Sequence, residues 1–188
     1  MYYTDFEQIP TNTYEIILCD PPWVYRDKCN AGKRGAVHKY ALMTDTQLCQ
    51  LPVPLIACPD SILFMWVTMP KLREGLDLMA AWGFTYKTVA FTWVKRNRLA
   101  PTWFWGMGRW TRANAELVVL GTRGKPQRQH AGVHSVIDAP IGPHSRKPSE
   151  TRDRIVSLMG DRPRIELFAR GDTPGWDAWG NTPTFADA

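Results

Sequence analysis

The sequence predicts one α/β domain over residues 1–188, built on a mostly parallel sheet, and three observations predict it. Short apolar runs of strand length alternate with segments of helical periodicity, the pattern of parallel strands joined by helical crossovers. The first of those runs stops at Asp20-Pro21-Pro22, as a buried strand does when it ends at a functional loop. At 188 residues, 44% of them hydrophobic, the chain has the size and apolar content of one ordinary core.

In chain order, Tyr14 to Cys19 is the first strand and Thr44 to Leu51 the first helix. Ser61 to Thr68 (SILFMWVT) is the second strand. Lys71 to Trp82 places Leu72, Gly75, Leu76, Met79 and Trp82 at spacings of three and four, so it has one apolar face, and Gly83 follows as a helix cap. Ala90 to Val94 and Glu116 to Gly121 are the third and fourth strands. Pro148 to Met159 reads as a helix with Ser145 or Lys147 near its cap, Pro148 in the first turn and Ile155, Leu158 and Met159 on one face. Arg164 to Phe168 (RIELF) is the fifth strand. Residues 25–39, 95–112 and 123–147 are basic and show no regular pattern, and the tail after Asn181 is expected to be disordered.

Several classes are set aside by composition. No stretch approaches the roughly 20 apolar residues of a membrane span, and Met1-Tyr2-Tyr3-Thr4-Asp5 has no signal-peptide character, so a cytoplasmic protein without a membrane partner is expected. Cys19, Cys29, Cys49 and Cys58 have no metal-ligand spacing and suggest neither a disulfide framework nor a metal site. His130 and His134 have ligand-like spacing but no neighbouring cysteine, and are read as surface residues. A net charge of +5 agrees with nucleic-acid binding without requiring it.

Open parallel sheets bind ligands at the carboxyl ends of their strands, which is where Asp20 falls. A carboxylate and a backbone carbonyl that both accept hydrogen bonds from an aromatic amine would pull its lone pair out of conjugation. Asp20 offers the first and Pro21 the second, while Pro21 and Pro22 stiffen the backbone and remove competing N–H donors. Acceptors held in advance are the source of electrostatic catalysis. Trp23 offers an aromatic surface for a flat base, or else belongs to the core.

The chain resembles the MT-A70 family of N6-adenine methyltransferases, whose catalytic motif is DPPW. Here that motif is Asp20-Pro21-Pro22-Trp23, followed by Tyr40-Ala41-Leu42-Met43-Thr44, Leu63-Phe64-Met65-Trp66-Val67-Thr68, Trp82-Gly83-Phe84 and Trp93-Val94-Lys95. Then come Glu116-Leu117-Val118-Val119-Leu120-Gly121 leading to Arg123-Gly124-Lys125-Pro126, Ser145-Arg146-Lys147-Pro148-Ser149-Glu150, Ile165-Glu166-Leu167-Phe168-Ala169-Arg170, and Trp179-Gly180-Asn181. They stand in family order and cover nearly the whole chain.

The resemblance implies a Rossmann-like methyltransferase fold with helices on both faces and a circularly permuted order, catalytic strand first and cofactor strand last. It implies S-adenosylmethionine as cofactor, with Asp20 and Lys147 near its methionine part, Glu166 and Arg170 near the ribose, Asn181 near the adenine, and Phe168 also among the cofactor-binding residues. It also places Tyr2 to Asp5 beside the adenosine as an extra strand or loop. Two positions depart from the pattern: Ala169 where glycine is frequent and Arg146 where histidine is frequent. A G-x-G-x-x-G motif is absent.

Taken with the resemblance, the basic segments become substrate contacts. Residues 95–112 interleave Lys95, Arg96, Arg98, Arg109 and Arg112 with Trp103, Phe104, Trp105 and Trp110 and contain no acid. Such a loop suits a phosphate backbone with bases stacked on aromatic faces; the alternative is that its tryptophans pack onto the domain. Residues 25–39, with Tyr40 as a stacking residue beside Trp23, are the second candidate. The expected activity is methylation of adenine N6 in DNA, favoured over RNA by small size and by the lack of an RNA-binding module. RNA methylation and an inactive nucleic-acid-binding paralogue are the alternatives, and either a homodimer or a heterodimer with a family partner is open.

Overall fold

The computed structural model describes residues 1–25, 42–108, 110–143 and 146–180. Expectations for residues 26–41, Tyr40 among them, and for Arg109, Ser145 and the tail from Asn181 lie outside the described residues.

Among the described residues the chain forms an α/β sandwich around one eight-stranded sheet. Its strands are β1 (Tyr2–Tyr3), β2 (Tyr14–Cys19), β3 (Ala57–Val67), β4 (Thr85–Arg96), β5 (Glu116–Arg123), β6 (Val136–Pro140), β7 (Arg164–Leu167) and β8 (Asp177–Trp179), in the spatial order β1-β8-β7-β2-β3-β5-β4-β6. Only β5 runs against the rest: its pairings with β3 and β4 are antiparallel and the other five are parallel. β7, late in the chain, lies directly beside the early strand β2 and parallel to it.

Strand periodicity splits the core in two. Ile17, Cys19, Leu63 and Met65 face one layer, with Leu48, Val53, Leu78, Met79 and Trp82 from α1 (Asp45–Cys49), α2 (Val53–Ile56), α3 (Leu72–Ala81) and its cap. Their neighbours Ile16, Leu18, Ile62 and Phe64 face the other layer, against Ile155 and Met159 of α4 (Glu150–Met159). Because β2 and the second half of β3 are buried on both faces, they read in sequence as continuous apolar runs.

Helix ends follow local chemistry. Thr44 and Gln47 form a reciprocal capping box before α1. After α3, Gly83 adopts φ 78°, with Gly83 N–H donating to Ala80 O and Phe84 N–H to Met79 O, the Schellman arrangement expected of that glycine.

Two strands depart from the sequence expectation. β6 lies in the segment read as irregular, because Asp138 and Pro140 break its apolar pattern; it is an edge strand paired only with β4, where such residues are tolerated. β8 has only three residues, too short for periodicity to register. β1 does form the extra strand at the sheet edge, paired with β8.

Candidate active site

β2 delivers Asp20 to the carboxyl edge of the sheet, and the turn after it is closed by main-chain hydrogen bonds. Trp23 N–H donates to Pro21 O at 2.9 Å, and Met43 N–H donates to Pro22 O at 3.0 Å. One lone pair of the Pro21 carbonyl is thereby engaged within the turn, which fixes where the second points.

Asp20 does not stand alone. Lys147 Nζ donates to Asp20 Oδ2 at 2.7 Å and lies 3.3 Å from Glu116 Oε2. The other oxygen of Glu116 accepts from Lys95 Nζ at 2.6 Å, and Arg170 lies 3.9 Å from Asp20. Lys147 rests on the ring of Trp66 at 5.5 Å and Lys95 on that of Trp93 at 5.1 Å. Tyr25 and Thr68 share a hydroxyl hydrogen bond of 3.0 Å beside this cluster.

The electrostatics follow from the alternation of sign. Burial would push the Lys147 ammonium pKa down, but the Asp20 and Glu116 carboxylates outweigh it and hold the group above the ordinary lysine range. Burial would raise Glu116, and Lys147 and Lys95 instead bring it below the usual carboxylate range. For Tyr25, burial raises the phenol, and Glu116 and Asp20 add to that against the Thr68 bond. Lys147 and Glu116 are therefore both charged at neutral pH, and the Tyr25 phenol is not. A lysine at a helix start is otherwise poorly placed; here the two carboxylates account for it.

Of the residues singled out from sequence, the fold brings Asp20, Pro21, Lys95, Lys147 and Arg170 together. Glu166, on β7 and four residues before Arg170, is held by Arg152 through bonds of 2.7 and 2.9 Å. Phe168, at φ 62°, packs edge-on to Trp179 at 5.2 Å, and Trp179 packs on Phe6 at 5.0 Å. Asn181 and Tyr40 lie outside the described residues.

Trp23 stands apart from its expected role as a stacking face. It is only 4% exposed and belongs to the core layer of α1 and α3, with Lys71 5.7 Å over its ring. Of the two readings open for it, the structure has the core one. Arg96 also differs: Asp138 holds its guanidinium through two bonds of 2.7 Å, and it stacks on Trp103 at 3.9 Å. Arg98 and Arg112 are exposed, as are Trp105 and Trp110, so packing of those two tryptophans onto the domain is not what is found.

Glu116 was missed in the sequence because a carboxylate opening an apolar strand looks like a strand boundary. One signal pointed to it: it is the first acidic residue after Asp77, following a run of lysines and arginines. His130 and His134 line a surface cavity of about 410 Å³ with Asp153, Arg154 and Ser157. Among the described residues, no group of three His, Cys, Asp or Glu could hold a metal ion.

A parallel sheet with one reversed strand, whose central strand end carries a carboxylate bound to a lysine from the last helix start, is the arrangement of a Rossmann-like methyltransferase. The MT-A70 family model matches residues 14–182, and the chain belongs to that family of S-adenosylmethionine-dependent N6-adenine methyltransferases. It is 35% identical to the Type II methyltransferase M.MunI of Mycoplasma sp over 93% of this chain and 80% of that protein. It is 29% identical to the N(6)-adenosine-methyltransferase subunit METTL3 of Danio rerio over 89% of this chain, which spans 28% of that protein. The MT-A70-like N(6)-adenosine-methyltransferase of Arabidopsis thaliana is 30% identical, over 90% of this chain and 24% of its own length.

The chemistry of the residues around Asp20 and the end of β7 fits that cofactor. Lys147 and Arg170 are cations suited to a carboxylate, and Glu166 retains lone pairs for hydroxyls beside its Arg152 bonds. Phe6, Phe168 and Trp179 form an aromatic corner, and among the described residues Trp179 Nε1 is a buried donor without a partner. Gly180 permits close approach there: a Cβ would stand 2.1 Å from Ala169 O and 2.9 Å from Tyr2 Oη.

Proposed function

We propose that the chain transfers a methyl group to the N6 amine of adenine in DNA. The observation that carries this reading is the Lys95–Glu116–Lys147–Asp20 chain of ion pairs at the end of β2. When bound, S-adenosylmethionine supplies an electrophilic methyl group on a sulfonium. Everything else is work for the protein. Asp20 accepts one N6–H and the second lone pair of Pro21 O accepts the other, which turns the amine lone pair out of the ring plane toward the methyl carbon. Lys147, with three N–H donors, can keep Glu116 while pairing with the cofactor carboxylate, so Asp20 is released to the amine without leaving a lysine unpaired. Arg170 and Glu166 orient the cofactor; Asn181, by family motif, serves its adenine. Trp23 anchors the motif in the core and so acts on geometry. Arg98 and Arg112 contact the nucleic acid, joined by Arg109 on the sequence reading, with Lys95 committed to Glu116 and Arg96 holding the loop's root.

DNA is favoured over RNA because most of the Type II methyltransferase is matched, whereas about a quarter of the adenosine methyltransferases is. The test is to incubate the protein with labelled S-adenosylmethionine and matched random-sequence DNA and RNA, digest to nucleosides and identify the label. N6-methyl-deoxyadenosine is the expected product. Label confined to N6-methyladenosine moves the substrate to RNA; no label together with no calorimetric heat for the cofactor makes the chain an inactive paralogue.

A further inference from the structure

The loop between β4 and β5 combines a rigid root with an apolar tip that the fold leaves uncovered. At the root, Asn114 Nδ2 donates to Lys95 O at 2.9 Å and to Phe104 O at 2.6 Å, and its Oδ1 accepts from Lys95 N–H at 2.8 Å. Gly106 N–H donates to Ala113 O at 2.7 Å, so the two limbs stay together well out from the sheet. Beyond that bond, Met107 is 91% and Trp110 93% exposed. Two large apolar side chains at a loop tip leave water only when something covers them.

We infer that Met107 and Trp110 form a wedge that enters the base stack of a DNA duplex and opens it beside the target adenine. Three features select a duplex as the occupant. The loop has basic residues and no acidic one between 97 and 115, so its flanks complement phosphates. It rises from Lys95 and Glu116, whose 2.6 Å ion pair is part of the cluster around Asp20, so a duplex held by the loop lies against the edge of the sheet that carries Asp20. A base within a duplex cannot reach a carboxylate at a sheet edge without leaving the stack, and apolar side chains inserted between base steps are the usual means of unstacking. The inference rests on the DNA reading above and adds to it how a duplex would be opened.

Stacking on already unpaired bases would use the same aromatics, but it would not distinguish native from denatured DNA. The double variant Met107→Ala/Trp110→Ala and the wild type are therefore compared on an unmethylated closed circular plasmid, native and heat-denatured. The expected result is that the ratio of methylation on native to denatured DNA falls at least tenfold in the variant. In parallel, the native plasmid is relaxed by topoisomerase with each protein in excess; wild type shifts the topoisomer distribution by unwinding and the variant does not. A similar loss on both DNA forms, no loss, or no topoisomer shift with wild type overturns the wedge. So does a dimer of wild type but not variant in light scattering, which assigns the tip to a second copy. If wild type methylates neither DNA, the proposed function fails, and the topoisomer comparison still decides the wedge.

Discussion

Lys147 Nζ lies 2.7 Å from Asp20 Oδ2, joining residues 127 positions apart in the chain. The same ammonium is 3.3 Å from Glu116 Oε2, so one half-buried cation is shared by Asp20 and a carboxylate from the reversed strand. The consequence is a division of labour. Glu116 holds Lys147 in place, and in the proposed mechanism Asp20 exchanges its lysine for a substrate amine without leaving that ammonium unpaired.

Asp20→Asn keeps the shape and removes the charge. Methyl transfer should fall by about 100-fold or more, the scale of losing one preorganised polar contact at a developing charge. Lys147 retains Glu116, so the Tm should move by only a few degrees, about the effect of 1 kcal/mol in a domain of this size. Turnover within tenfold of wild type on adenine-containing DNA would remove Asp20 from the mechanism.

Glu116→Gln tests the shared cation through pH. Glu116 titrates below its unfolded range, so its contribution to stability is present above about pH 4.3 and is lost as pH falls through the folded value. Lys147 titrates above its unfolded range, so its contribution is complete below about pH 10.4 and is lost as pH rises beyond it. Urea midpoints across pH should show both limbs flattened in the variant. The kcat should fall while cofactor affinity measured by calorimetry falls with it, and Glu116→Asp should restore part of both. Wild-type limbs in the variant would refute the role.

Trp23→Ala should cost about 3–5 kcal/mol, the cost of emptying a buried aromatic site. Trp23→Phe should recover most of that stability, with KM for DNA close to wild type, because the indole is in the core. A large rise in KM with unchanged Tm would restore the stacking role.

Arg98→Ala and Arg112→Ala should each lower the slope of log affinity against log salt by about 1, as expected for a lost phosphate contact. Arg96→Ala should leave the slope nearly unchanged and lower the Tm, because its guanidinium is committed to Asp138 and Trp103. Filter binding over a salt series separates the two patterns.

Gly124→Ala should destabilise the domain by about 2 kcal/mol. Gly124 has φ 64°, and a Cβ there would stand 2.4 Å from Pro59 O and 2.1 Å from Asp60 Oδ1, so backbone strain and overlap act together. Thermal melts check it; an unchanged Tm would show that the turn can relax.

The sequence by itself determined the central elements and half of the site. β2, β3, β5 and α3 were legible because strands buried on both faces are continuous apolar runs and a helix cap is a local event at Gly83. Asp20 and Lys147 were legible through motifs that sit next to those elements. Tertiary structure alone decided that Glu116 joins Lys95 to Lys147, that Trp23 is core, that Arg96 is held by Asp138, and that Val136–Pro140 is a strand. Those facts depend on which strands become neighbours, and on what covers each side chain once they do. A local pattern records propensity and periodicity over about ten residues, whereas Lys147 and Asp20 meet only after the whole sheet has been wound between them.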